Sequence, residues 1–199
     1  EEGPAGGLGW LVREGRVAHP QHRLLIPWRA PDGRVWSLQR RWAPLYGDET
    51  PADKRTPKYL FPGAKDHAPP AQWAYGVDRQ RELEEAEEVW LVEGARDVLA
   101  VRALARREGG ARRLGALGLP GVQRWRDVAA SVLPHLRGRL VRIALDADQA
   151  GEGAVATLSR AAWSAGARAV KRSRPGHGCK DWAAQLELEL RGAPGGRAA

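Results

Sequence analysis

The second half of the sequence alternates short apolar runs with amphipathic helical patterns. The apolar run VWLV leads directly into Glu93, and the apolar run RLVRIAL leads into Asp146 and Asp148. Strands that alternate with helices predict a parallel sheet with helices on both faces, and such sheets form their sites where the strands end. We predict strands near residues 89–92, 114–121 (including a turn), 139–145 and 167–172, with helices over residues 95–108, 125–136, 151–165 and 181–190.

The first half of the sequence is organised differently. Two β-prone runs, RLLIPWRA and RVWSLQRRW, flank the turn residues Pro-Asp-Gly, which predicts a β-hairpin. Residues 44–70 are rich in proline and predict a long irregular loop. We therefore expect a small mixed lobe over residues 10–80 and an α/β domain over residues 81–191. The Gly-, Ala- and Pro-rich segments 1–9 and 192–199 are expected to be mobile ends.

Composition limits the classes of partner and cofactor. The chain carries 32 Lys and Arg against 24 Asp and Glu, a formal charge of +8. This excess favours nucleic acid as a partner, although an arginine-rich composition from a G+C-rich genome would give the same count. The single cysteine, Cys179, can neither form an internal disulfide nor supply a zinc cluster, so we expect no zinc in this chain. The apolar runs are far shorter than the roughly 20 residues of a membrane-spanning helix, so we expect a cytoplasmic protein without a membrane partner.

Acidic residues follow the predicted strands at three places: Glu93, the pair Asp146 and Asp148, and Asp181. A parallel sheet would bring all three places to one edge. Asp146 and Asp148 are two residues apart, so in extended backbone their side chains point to the same side. Neighbouring carboxylates repel each other unless a cation lies between them, and magnesium prefers such oxygen ligands. The alternative is that an aspartate at a strand end caps the following helix.

Three segments resemble the signatures of the Toprim domain, which primases, topoisomerases and some nucleases share. They are VWLVEGARDVLAV, IALDADQAGEGAV and GCKDW. The resemblance implies an α/β fold: a parallel four-stranded Toprim sheet flanked by helices, here with a smaller mixed α+β amino-terminal lobe that contains the β-hairpin. Gly151, at the start of the helix after the aspartate pair, would allow the backbone a close approach there.

The resemblance also implies roles for the acidic residues. Glu93, Asp146 and Asp148 take the catalytic positions, and all three match metal-binding positions. Asp97 and Asp181 match further acidic residues of the primase pattern and are expected to take part in metal binding. The implied cofactor is Mg²⁺, with Mn²⁺ as a substitute.

The upstream segments TPKYLFPG and WAYGVD resemble the amino-terminal lobe of bacterial DnaG-type primase catalytic cores, and LGLPGVQRW resembles primases of plasmids and phages. This implies magnesium-dependent synthesis of short RNA primers from nucleoside triphosphates on a single-stranded DNA template, and a replicative helicase as partner through parts outside this chain. We expect the nucleotide and DNA contacts to include Lys58, Lys180, Arg40, Arg41 and Trp42.

Two other functions remain open at this stage. The same carboxylates would serve a metal-dependent Toprim nuclease, which would cut DNA without nucleotides. A fragment of a plasmid or phage replication protein could instead bind single strands without catalysis, and its DNA affinity would then be independent of metal.

Overall fold

The structure is a computed structural model, and it describes residues 12–13, 16–17, 19–43, 56–61, 72–107 and 113–192. The chain divides into two compact units, Glu1–Gln72 and Trp73–Ala199. The division falls ahead of residue 80 because Ala74 lies in the core of the second unit and Tyr75 pairs with Gly118 there. The assignment of separate roles to residues 10–80 and 81–191 stays a prediction. The segments 1–9 and 193–199 lie outside the described residues.

The first unit contains the predicted β-hairpin. Gly33 has a positive φ of 84°, and its N–H donates to the carbonyl of Ala30 (2.9 Å), which closes the turn. The ring of Trp28 is buried and packs edge-to-face on Phe61, with centroids 5.2 Å apart. The strands of this unit are β1 (Val12–Arg13), β2 (Arg16–Val17), β3 (Leu24–Arg29), β4 (Val35–Arg41) and β5 (Tyr59–Leu60), paired antiparallel as β1-β2 and as β3-β4-β5.

The second unit contains the predicted four-stranded parallel sheet. Its strands are β6 (Glu88–Val92), β7 (Leu114–Gly118), β8 (Leu140–Ile143) and β9 (Ala169–Arg172), in the spatial order β7-β6-β8-β9. The fold class predicted from the sequence is thereby confirmed. Because all four strands run in the same direction, their carboxyl ends share one edge of the sheet.

The helices of this unit are α1 (Gln80–Glu85), α2 (Ala95–Arg107), α3 (Trp125–Val132), α4 (Gln149–Ser164) and α5 (Trp182–Gly192), with short 3-10 turns at Val122–Arg124 and Leu133–Leu136. The helix predicted over residues 125–136 changes from α to 3-10 geometry after Val132, where Pro134 cannot donate the backbone hydrogen bond that an α-helix needs. None of the helices among the described residues is long and apolar enough to cross a membrane.

Alternate residues of β6 face opposite sides of the sheet. Val89 and Leu91 pack into a core with the buried side chains of α1, α3 and α4, whereas Val92 packs into a second core with those of α2 and α5. The period of two thus places helices on both faces, as the sequence indicates. In the second core, the indole N–H of Trp182 donates to the carbonyl of Ala144 (2.7 Å) and fixes the start of α5 beside the end of β8.

Candidate active site

Glu93 connects the ends of the two central strands. It follows β6 directly, and its Oε1 accepts the backbone N–H of Asp146, just beyond β8, at 3.2 Å. Burial of the carboxyl group and the negative charge of Asp146 raise the pKa of Glu93 to about 7. The Glu93 carboxyl group can therefore change its protonation state near neutral pH.

Asp146 and Asp148 lie in the same loop but in different environments. Burial and the charge of Asp181 raise the pKa of Asp146 to about 6. Asp148 is the N-cap of α4, and its Oδ1 accepts the N–H of Gly151 at 3.0 Å. This hydrogen bond is the main reason why the pKa of Asp148 falls below its ordinary value. The helix-cap interpretation is thus correct for Asp148, and its second oxygen, Oδ2, faces Lys180.

A largely buried guanidinium holds the loop that carries these aspartates. Arg172, at the end of β9, donates to the carbonyl oxygens of Ile143 (3.0 Å), Leu145 (2.9 Å) and Asp146 (3.0 Å). The same guanidinium pairs with Glu152 of α4 at 2.5 Å. One arginine therefore joins β9, α4 and the loop after β8. Arg172 and Glu152 were not predicted from the sequence, because no motif marks one arginine among many.

Asp97 and Asp181 lie at the amino terminus of α5. Asp97 comes from the first turn of α2, is 8% exposed, and its Oδ1 accepts the N–H of Ala183 at 3.2 Å. Asp181 Oδ1 accepts the N–H of Ala184 at 2.7 Å. Burial and the charge of Asp146 raise the pKa of Asp97 to about 7. Asp97 thus ties α5 to this edge of the sheet, Asp181 caps the start of α5, and both add negative charge to the edge.

Lys180 lies against the aspartate pair. Its Nζ is 3.1 Å from Asp148 Oδ2 and 3.7 Å from Asp146 Oδ2. Its backbone carbonyl accepts the N–H of Ala147 at 2.7 Å. The hydrogen bond from its ammonium group to Asp148 raises the pKa of Lys180. Its predicted contact with nucleotide stays a prediction.

The structure thus gathers all five predicted acidic residues at one edge of the sheet, where burial and neighbouring negative charge raise the pKa of Glu93, Asp97 and Asp146. Their oxygen donors and unbalanced negative charge fit a hard divalent cation. As the side chains stand, no three His, Cys, Asp or Glu residues among those described are arranged to hold one metal ion.

The residues of the first unit that were predicted to contact DNA differ in how far they are buried. Arg40 and Arg41 are 2% and 6% exposed, and the Arg40 guanidinium donates to the carbonyls of His22 (3.0 Å) and His19 (3.2 Å). Both side chains are thus largely enclosed by the protein, and the DNA contact expected of Arg40 and Arg41 stays a prediction. Trp42 is partly exposed and packs edge-to-face on His22, and Lys58 is also partly exposed. For Trp42 and Lys58, contact with DNA or nucleotide stays a prediction.

Gly151 lies where α4 approaches the loop after β8. A Cβ at this position would overlap the carbonyl oxygen of Asp146 and lie 3.0 Å from Glu93 Oε1. The close approach expected from the sequence is therefore confirmed. A Cβ at Gly153, two residues later in the same helix, would meet nothing within 4 Å.

We expect Gly151→Ala to lower the free energy of unfolding by about 1–3 kcal/mol, because the backbone of Asp146 would have to move away. Gly153→Ala should instead raise it by about 0.5–1 kcal/mol, since alanine is the better helix former. Urea denaturation of both variants measures the difference. Equal stability of the two variants would contradict the described approach of α4 to Asp146.

A second prediction concerns pH in the presence of a chelator. The pKa values of Glu93 and Asp97 are raised from 4.5 and 3.8 to about 7, so the folded state holds more protons than the unfolded state between these limits. The contribution of these two carboxyls to the free energy of unfolding must then fall as pH rises through this window. We expect their contribution to the melting temperature to be lower at pH 8 than at pH 5.5, and added Mg²⁺ to stabilise the protein mainly at pH 8.

The control for this prediction is Glu93→Gln, which imitates the protonated carboxyl group at every pH. Burial lowers the pKa of His135, so this group opposes the trend near pH 6 and is common to both proteins. The quantity to compare is therefore the change in melting temperature of the wild type minus that of Glu93→Gln. We expect the melting temperature of the wild type to fall more than that of Glu93→Gln between pH 5.5 and pH 8. An equal fall, or a larger fall in the variant, would show that Glu93 does not titrate as described.

Comparison with families of known proteins gives a match within the second unit. A protein family described as Toprim-like matches residues 90–186, which include all five carboxylates. The curated proteins contain no match to the sequence.

Several solved structures share the fold. The RNA polymerase domain of Mycobacterium tuberculosis primase DnaG has a TM-score of 0.60 at 20% identity, over 94% of this chain and 57% of that one. A DnaG primase catalytic domain bound to single-stranded DNA has a TM-score of 0.55 at 20% identity, over 92% and 60%. The primase fragment of the bacteriophage T7 primase-helicase protein has a TM-score of 0.50 at 18% identity, over 84% and 58%.

The chain therefore spans less than two thirds of the length of each of these three structures. Residues 90–186 match the Toprim-like family, and the chain has the fold of DnaG-type primase catalytic cores.

Proposed function

We propose that this chain is a primase catalytic core, which joins nucleoside triphosphates into short RNA primers on a single-stranded DNA template. The observation that carries the proposal is the cluster of five carboxylates at the carboxyl edge of a parallel sheet, within a Toprim-like domain. The fold shared with a DnaG domain that was solved on single-stranded DNA supports the choice of template. The net charge of +8 also favours a polyanion.

Asp146 and Asp148, with Glu93 beside them, are the residues that would hold Mg²⁺ or Mn²⁺. When bound, such an ion orients phosphate groups, stabilises negative charge on them and makes a hydroxyl group easier to deprotonate. Asp148 suits this role because its pKa is depressed and it is charged at physiological pH.

Glu93 is the residue suited to proton transfer in primer synthesis. The reaction needs a proton to leave the 3′ hydroxyl group as it attacks the α-phosphate, and an effective general base has a pKa near the working pH. The pKa of about 7 places Glu93 in that range. Asp97 and Asp181 support the site by holding the amino terminus of α5 through Ala183 and Ala184.

Partners follow from the same proposal. Nucleoside triphosphates are the substrates, and Lys180 is a cation at the site that could meet their phosphates. A replicative helicase is a further proposed partner, through parts outside this chain, and one structural relative is a fragment of a primase-helicase protein. Synthesis of RNA rather than DNA belongs to the proposal as well.

The test is an assay with single-stranded DNA of mixed sequence, labelled ribonucleoside triphosphates and Mg²⁺ or Mn²⁺. We expect short labelled oligomers from the wild type. In Asp146→Asn and in Asp148→Asn the rate of oligomer synthesis should fall on the order of 100-fold or more, because each variant removes one carboxylate charge that would hold the metal ion. Fluorescence anisotropy with labelled DNA should show nearly unchanged binding. Asp127→Asn is the matched control, since Asp127 in α3 is exposed and pairs with Arg124, which immediately precedes that helix.

Other outcomes would redirect the proposal. Full activity in Asp146→Asn would contradict the assignment of the site. Cleavage of labelled template without nucleotides would identify a nuclease. DNA binding that is independent of metal, with no synthesis and no cleavage, would identify a non-catalytic binding domain.

A further inference from the structure

Lys180 holds the carboxylate oxygens that a metal ion would need. Asp148 uses Oδ1 to cap α4 through Gly151, so the oxygen that remains for a cation is Oδ2. The ammonium group of Lys180 lies 3.1 Å from that atom and 3.7 Å from Oδ2 of Asp146. The oxygen of Asp148 that faces Lys180 is thus the one that remains for a divalent cation, and Lys180 and the cation cannot both occupy the place beside it.

The base of the lysine is fixed, although its ammonium group is not enclosed. The Lys180 carbonyl accepts the N–H of Ala147 at 2.7 Å, so the backbone is held beside the aspartate loop. The preceding loop is fixed by Gly176, whose N–H donates to Oε1 of Gln185 at 2.8 Å. The Lys180 side chain is nevertheless 63% exposed. The ammonium group can therefore leave the aspartates by side-chain rotation, without movement of the backbone.

We propose that Lys180 is a tethered counter-cation, which neutralises Asp146 and Asp148 in the metal-free protein and is displaced when a divalent cation binds. Lys180 thereby weakens metal binding while it stabilises the metal-free site. The inference rests on the proposed function only in treating these two aspartates as the cation site.

The experiment measures Mn²⁺ binding, by electron paramagnetic resonance of the free ion, to the full chain at pH 8 without nucleotide or DNA. We expect Lys180→Gln to lower the dissociation constant roughly three- to tenfold, because a competing positive charge is removed. Lys180→Arg should bind within about twofold of the wild type, since it restores the charge. Lys171→Gln is the matched control: it removes the same charge from an exposed position of β9 and should also stay within about twofold.

A second measurement separates this role from a merely structural one. Without metal, Lys180→Gln should melt at a lower temperature than the wild type, because its aspartates lack their counter-cation. Saturating Mn²⁺ should remove this difference, since the ion then provides the charge in both proteins. A lysine that only supports the fold would lower the melting temperature with and without Mn²⁺.

Unchanged or weaker Mn²⁺ binding by Lys180→Gln would overturn the proposal, and so would equal tightening in Lys171→Gln or no Mn²⁺ binding by either the wild type or Lys180→Gln. The primase proposal is tested separately by primer synthesis. Synthesis by the wild type, with equal Mn²⁺ affinities, would overturn only the role of Lys180. Tighter binding by Lys180→Gln, in a protein that makes no primers, would leave the role of Lys180 in place and overturn only the primase proposal.

Discussion

The second unit must accommodate a concentration of negative charge at one edge of its sheet, and the contacts around that edge depend on this constraint. Glu93, Asp97 and Asp146 are partly or largely buried there, and burial together with mutual repulsion raises the pKa of each. Such a cluster costs stability when it is ionised, so a chain that only needed to fold would gain by replacing it. Perturbed pKa values of this kind are typical of sites that bind a charged ligand.

Backbone amides offset part of this cost. Asp148 accepts a hydrogen bond from the start of α4, while Asp97 and Asp181 accept hydrogen bonds from the start of α5. Helix amino termini carry partial positive charge, so both helices stabilise the carboxylates that they meet. Capping and metal binding are consequently not exclusive, because each carboxylate can use one oxygen for the helix and keep the other for a cation.

Local pattern and order along the chain determine which features could be predicted from the sequence. The sheet, its helices and the shared edge for Glu93 and Asp146 could be predicted, because strand period and motif spacing fix them. Arg40 was expected to contact DNA, and the hydrogen bonds from its guanidinium to the backbone carbonyls of His19 and His22 could not be predicted, because no sequence pattern reveals contacts with backbone. Arg172 could not be predicted for the same reason, since it also acts on carbonyl oxygens.

Arg172 also shows how the site keeps its carboxylates available. An arginine so close to Asp146 could have paired with the Asp146 carboxylate and occupied it permanently. Instead its guanidinium contacts the carbonyl oxygen of Asp146 and directs its charge to Glu152, whose pKa falls to about 2 through hydrogen bonds from Arg174 and Arg172. The firmly held cation thus positions the backbone, while the cation against the carboxylate is the exposed Lys180. Arg172 therefore holds the loop in place, and it leaves the Asp146 carboxylate accessible to a ligand.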